Sequence, residues 1–269
     1  SMDMRSEDRA WLKMKLDAVA RARDEQGFSI PMPPTGERQW QSGVVSAFAN
    51  IVGWRCEQLG VFSNLDQRPT PMLDALFSKK EPKAGPLGTM SWTVDISNAN
   101  TGDDFVLGVK ELHLPDGSRR PYSIWLAGEY PKVLDGLCKL ISLDMRVVDA
   151  NWIGLKLRKL LNFGEQNGDF WAPVPGKLAG AERSTQYPST VAYIATLLLH
   201  RYKVLGILDD DGRAIASAGI LALPDAVKLV DHETAPIKGK VCPSCNAAAM
   251  IKRDGCEFCT ACGFTGNCS

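Results

Sequence analysis

The sequence predicts an α+β protein, in which a small antiparallel sheet is covered by helices, with an N-terminal helical segment and a C-terminal zinc ribbon. Three observations lead to this prediction. Apolar residues follow a helical period in the first 62 residues, then recur at every second position from Met90 onward. Helical periods return after Pro131, and six of the eight cysteines lie between Cys242 and Cys268.

Two helices are predicted in the N-terminal helical segment, residues 1–62. The first has Ser6 as its N-cap and ends at Gly27, and the second begins at about Glu37 and ends at Gly60. Residues 63–88 contain four prolines, so we predict a linker with at most one short helix there.

An α+β domain is predicted over residues 89–232. Three strands are expected at residues 90–96, 106–114 and 122–126. Three helices follow, at residues 131–145, at residues 151–163 and after the N-cap Ser189. Sheet and helices in separate blocks favour an α+β layer over alternating βαβ units.

Charge and apolar pattern exclude several classes of protein. The 31 basic side chains are balanced by 31 acidic ones, which argues against a general nucleic-acid or membrane-surface binder. No apolar run approaches the ~18–20 residues of a membrane span, and the N-terminus is charged rather than a secretory leader. We therefore expect a cytoplasmic protein that has no membrane partner.

Two C-x-x-C pairs, Cys242/Cys245 and Cys259/Cys262, carry the strongest chemical signal. Each pair presents two thiolates from a tight turn, and two facing turns supply the tetrahedral sulfur shell that Zn²⁺ prefers. Residues 248–255 can form the hairpin that brings the turns together. The sequence predicts a zinc ribbon over residues 233–269.

Cys256 and Cys268 remain outside this ligand set. Cys268 is the penultimate residue, on a tail that we expect to be mobile, so its thiol could reach a partner disulfide. The two cysteines are therefore candidates for a redox relay. In the alternative interpretation Cys256 is a zinc ligand and Cys268 has no function.

This cysteine pattern resembles the C-terminus of adenosylcobalamin-dependent (class II) ribonucleotide reductases. The matching motifs are Cys242-Pro-x-Cys245, the run from Gly255 to Gly263, and the ending Gly-x-Cys268-Ser. Residues 114–126, 137–146 and 189–194 are also similar to elements of that family. The resemblance covers about residues 87–269.

The resemblance implies an accessory part of such a reductase in deoxyribonucleotide biosynthesis for DNA replication. In this family a large barrel carries the radical cysteine, the substrate-reducing cysteines and the adenosylcobalamin, and none of these can be placed in the present sequence. The implied protein is a component of a ribonucleoside-diphosphate reductase, as a subunit or a fragment, and is not catalytic alone. Its implied partners are the large catalytic chain and a thioredoxin-type reductant.

A different class of function is a stand-alone zinc-ribbon protein that binds nucleic acid or a protein partner without a redox role. Such ribbons usually project several basic and aromatic residues from their strands. Here the ribbon offers only Lys238, Lys240, Lys252, Arg253 and Phe258 against Asp254 and Glu257, so nucleic-acid binding is weakly indicated.

Overall fold

The computed structural model of the chain combines helices with small antiparallel sheets, which confirms the α+β class. It describes residues 2–24, 26–83, 88–114, 117–176, 183–215, 241–244, 250–253, 256–259 and 264–268. Within these ranges, no helix has the length and apolar character needed to span a membrane.

The first part of the chain is helical, but it also contains a β-hairpin. Its elements are α1 (Met2–Arg5), α2 (Arg9–Ala20), β1 (Phe28–Met32), β2 (Glu37–Gln41) and α3 (Val44–Gln58). The prediction of a helix from about Glu37 is wrong for residues 37–41, because they pair antiparallel with β1. This stretch has no helical apolar period, and the strand pairing satisfies its backbone groups.

Helix α2 is shorter at both ends than the predicted first helix. Asp8, and not Ser6, is its N-cap, since the Asp8 carboxylate accepts a hydrogen bond from the Trp11 backbone N–H at 2.8 Å. The same carboxylate accepts hydrogen bonds from the backbone N–H groups of Met72 and Leu73. One buried side chain therefore caps the helix and fixes a segment more than 60 residues away.

Residues 63–83 hold a 3₁₀ turn (Leu65–Gln67) and helix α4 (Pro71–Asp74). The segment, predicted as a linker, also packs on the rest of the fold. Leu76 is buried and forms an isolated antiparallel bridge with Val147. The N-terminal helices are thereby joined to the α+β domain through buried contacts.

The central sheet has the three strands that the sequence predicts, in the order β3 (Ser91–Asn98), β4 (Asp103–His113) and β5 (Arg119–Glu129). Both pairs are antiparallel. Ile96, Leu107 and Val109 are fully buried in the core, as expected for alternating strand positions.

Helices α5 (Val133–Asp144), α6 (Ala150–Leu160) and α7 (Thr190–Val204) pack in the same apolar core. Ser189 caps α7 as predicted, because its hydroxyl accepts a hydrogen bond from the Ala192 N–H at 3.0 Å. A second hairpin, β6 (Phe170–Pro173) with β7 (Ser184–Tyr187), was not predicted.

A further three-stranded antiparallel sheet lies near the C-terminus, in the order β10 (Thr265–Cys268), β9 (Cys256–Cys259) and β8 (Met250–Arg253). Strands β8 and β9 form the hairpin expected between the cysteine pairs. Strand β10 occupies residues for which the sequence predicts a mobile tail. In the structure these residues pair with β9.

A buried ion-pair network connects α1 and α2 with α5 and α6. Lys15 Nζ lies 2.6 Å from Asp144 Oδ1 and 2.9 Å from Asp3 Oδ1. Lys156 Nζ lies 2.7 Å from Asp3 Oδ2, and the Trp152 indole N–H donates to Asp144. Burial would raise the pKa of Asp3, but the Lys15 and Lys156 ammonium groups outweigh it and hold the pKa at about 2.

We expect Lys15→Met to lower the free energy of unfolding by about 3–5 kcal/mol, since it removes one partner of a buried pair and leaves a buried carboxylate without its nearest cation. Urea denaturation of the full chain measures this change.

Lys13 on the same helix is the matched control. It pairs with Asp17 at a position where both side chains are exposed. Lys13→Met should change the free energy by less than about 1 kcal/mol. Equal effects of the two substitutions would contradict a stabilising role for the buried network.

Candidate metal and thiol site

Cys242 and Cys259 meet in a small buried cluster at the C-terminal sheet. Both have 0% exposure, and they pack with Met250 and against Phe264. Cys259 ends β9, where it pairs with Met250 of β8, and its backbone N–H donates to the Phe264 carbonyl at 2.7 Å. The hairpin therefore brings the first cysteine of each C-x-x-C pair into one cluster.

The chain turns sharply directly after Cys242. The backbone N–H of Ser244 donates a hydrogen bond to Cys242 Sγ at 3.4 Å. Such a bond stabilises negative charge on sulfur, and a metal-binding cysteine must be in its thiolate form. The donor set and its hydrogen bonding thus fit a thiophilic cation.

The remaining two predicted ligands, Cys245 and Cys262, lie outside the described residues. Among the residues that are described, no three or more His, Cys, Asp or Glu side chains are grouped as a metal site. The structure therefore brings together two of the four predicted zinc ligands.

Cys256 and Cys268 are partners in the antiparallel pairing of β9 and β10, and a shift in register separates this pair from the pair of Thr265 and Phe258. Opposite residues in such a pair have Cα atoms about 4.5–5.5 Å apart, within the roughly 4.4–6.8 Å that a disulfide spans. The two candidate redox positions are therefore neighbours in the fold.

Cys256 and Cys259 are three positions apart in the same strand. Positions in a strand alternate between its two faces, so these two fall on opposite faces of the sheet.

Strand β10 is the feature of the site that sequence reasoning missed. A signal was present in Gly266, since an isolated glycine in a strand often marks a close approach of backbones. A Cβ atom at Gly266 would lie 3.2 Å from Glu257 Cβ, which is a tight contact. The absence of a side chain there lets β10 lie beside β9.

The two isolated cysteines are core residues. Cys56 of α3 and Cys138 of α5 are both buried. Burial, assisted by the nearby Asp135 carboxylate, raises the pKa of the Cys138 thiol to about 12. Since the thiolate is the nucleophile in thiol exchange, Cys138 is excluded from such chemistry at neutral pH.

Buried charges of the α+β domain are used in packing. The Arg201 guanidinium makes two hydrogen bonds to the Glu111 carboxylate, at 2.6 and 2.9 Å, and lies over the Trp92 ring. Such a bidentate pair satisfies both groups and leaves little capacity for a ligand.

No protein-family model matches this chain, and neither a curated protein nor a solved structure matches it.

We expect Cys138 in the folded protein to react with iodoacetamide at pH 8 at least about 1,000-fold more slowly than in urea, because its raised pKa nearly removes the thiolate. Peptide mass spectrometry at timed intervals measures both rates. Similar rates in the two states would show that Cys138 is accessible and ionised.

Proposed function

We propose that the C-terminal sheet is a zinc ribbon and that the chain is an accessory, thiol-exchanging component of a cobalamin-dependent ribonucleotide reductase. The observation that carries the redox part is the cross-strand pairing of Cys256 with Cys268. The zinc part is supported by the burial of Cys242 and Cys259 in one cluster.

Zn²⁺ would be held by Cys242, Cys245, Cys259 and Cys262. Sulfur ligands in two C-x-x-C pairs are typical of closed structural zinc sites, which stabilise a fold and carry out no chemistry. The small cluster around Met250 offers little apolar burial, so a metal would supply the stability that a core of this size lacks. A reducing compartment such as the cytosol keeps these thiols available to the metal.

The cross-strand pair would act as a two-electron carrier. One thiolate of Cys256 or Cys268 attacks a disulfide on the catalytic chain and forms a mixed disulfide. The second thiolate attacks the sulfur on this chain and displaces the catalytic cysteine. The catalytic chain gains two electrons and two protons as a dithiol, and this chain becomes a Cys256–Cys268 disulfide.

A thioredoxin-type dithiol, at about −270 mV, would return this disulfide to two thiols. In the order β10-β9-β8, β10 is an edge strand of four residues. Its separation from β9 breaks pairing along one side only, so Cys268 can leave the sheet at small cost and meet a partner.

The resemblance implies a large catalytic chain as the partner that carries out the reduction. The radical cysteine, substrate site and adenosylcobalamin of the family belong to a barrel that this sequence does not contain. Cys56 and Cys138 are buried core residues and do not replace those groups. We therefore assign the cobalamin to the partner and the final thiol exchange to this chain.

The purified chain should bind about one Zn²⁺, and Cys245→Ser or Cys262→Ser should lose it, because each removes one of the four thiolates. Metal content per chain by mass spectrometry measures this. The α+β domain of the variants should still unfold cooperatively, since its core is separate.

Cys268→Ser and Cys256→Ser are the matched controls. Both should retain zinc, because neither belongs to the proposed ligand set. Loss of zinc in Cys256→Ser would make Cys256 a ligand, and full zinc retention in Cys245→Ser and Cys262→Ser would refute the ribbon assignment.

With the catalytic chain added, Cys268→Ser should abolish repeated turnover driven by thioredoxin, since the second thiol that closes the disulfide is missing. Turnover driven by a small dithiol that enters the barrel directly should persist. Steady-state assays with the two reductants separate these cases, and the chain alone should show no ribonucleotide reduction.

Cys138→Ser is the control for loss of an unrelated thiol, and it should keep thioredoxin-driven turnover. Full thioredoxin-driven activity of Cys268→Ser would disprove the relay. In the isolated chain, oxidation should join the peptides that contain Cys256 and Cys268 by a disulfide, which lowers their combined mass by two hydrogens. Zinc should stay bound.

A further inference from the structure

Helix α3, together with its C-cap residue Leu59, presents a row of large apolar side chains to the outside. Val44, Phe48 and Leu59 are 62%, 66% and 62% exposed, and Ile51 is 39% exposed. Their spacing places them in one row along the helix, and this row also includes the exposed Arg55. We call these five residues the α3 row.

The buried residues of α3 are small. Ser46, Ala47 and Ala49 are buried, and a Cβ atom on Gly136 of α5 would collide with Val45. Close packing of small side chains thus holds the helix on the fold. The larger residues of the α3 row are not needed for that packing, and contiguous exposed apolar surface marks an interaction site.

We propose that the α3 row is the contact of a symmetric dimer formed with a second copy of this chain. This inference goes beyond the proposed redox function and does not depend on it. The row presents apolar surface on the order of 400 Å² per copy, given that an aromatic side chain alone buries about 150–250 Å².

The exposed apolar area of the α3 row agrees with the interface of a small homodimer. Two copies would bury roughly 800 Å² of apolar surface, and homodimer interfaces are about 65% apolar, so the total is near 1,200 Å². That value reaches the lower limit for specific interfaces, which indicates a micromolar rather than an obligate dimer.

The order of residues in the α3 row is self-complementary. When two copies of α3 run antiparallel about an axis near Ile51, Val44 of one copy faces Leu59 of the other. Phe48 then faces Arg55, whose guanidinium can lie over the aromatic ring as a cation–π pair. Each contact occurs twice, as a two-fold interface requires.

Sedimentation equilibrium of the full chain, with zinc and a reductant, tests the proposal. The wild type should dimerise, and Phe48→Lys should raise the dissociation constant by about 100-fold because the new ammonium group faces Arg55 of the other copy. Adding Arg55→Glu to Phe48→Lys should restore most of the affinity, since the two introduced side chains then form a lysine–glutamate ion pair twice between the copies.

Trp171→Lys is the matched control, since Trp171 is 70% exposed on β6 and lies outside the α3 row. It should dimerise as the wild type does, and circular dichroism should show that all variants are folded. The proposal would be overturned by a wild type that stays monomeric at a protein concentration 100-fold above the expected micromolar dissociation constant. It would also be overturned if the double variant did not recover affinity for itself. A wild type that stays monomeric but binds the catalytic chain through Phe48 would overturn it in favour of that partner.

Discussion

The buried pair of Lys15 and Asp144 is the interaction on which the arrangement of the helices depends. Removing two charges from water is unfavourable, and it is tolerated here because further groups share them. Asp3, Lys156 and the Trp152 indole complete the hydrogen bonding of the pair. These residues come from four helices, so the network holds the N-terminal helices on the α+β domain in one arrangement.

That arrangement decides which side of α3 meets solvent. Helix α2 packs against both α3 and α5, while α3 reaches α5 at Val45, which lies against Gly136. Once α2 is fixed by Lys15, the opposite side of α3 has to face outward. The exposed row of Val44, Phe48, Ile51, Arg55 and Leu59 therefore follows from how the helices are held, and not from a defect of the core.

The C-terminal sheet differs from the rest of the fold in the size of its apolar cluster. Its described cluster consists of Cys242, Met250 and Cys259 with Phe264 beside it, which is far smaller than the main core. The small size of this cluster among the described residues supports the proposal that metal coordination by thiolates stabilises the sheet. The same sheet brings Cys256 and Cys268 together, so one short element can combine a structural and a redox role.

Local sequence determined a large part of this protein. Apolar alternation predicted β3, apolar stretches on either side of a turn motif predicted β4 and β5, and Ser189 predicted the start of α7. Each of these depends on neighbouring residues. Only the tertiary structure decided the rest. The β1–β2 hairpin, the docking of residues 63–83 and the pairing of β10 with β9 depend on partners that are distant in the chain or that lack a local apolar period. The sequence alone thus identified the six clustered cysteines, whereas the fold placed Cys256 opposite Cys268. The polar, glycine-containing strand Thr265–Cys268 carries no apolar alternation that would specify its register in advance.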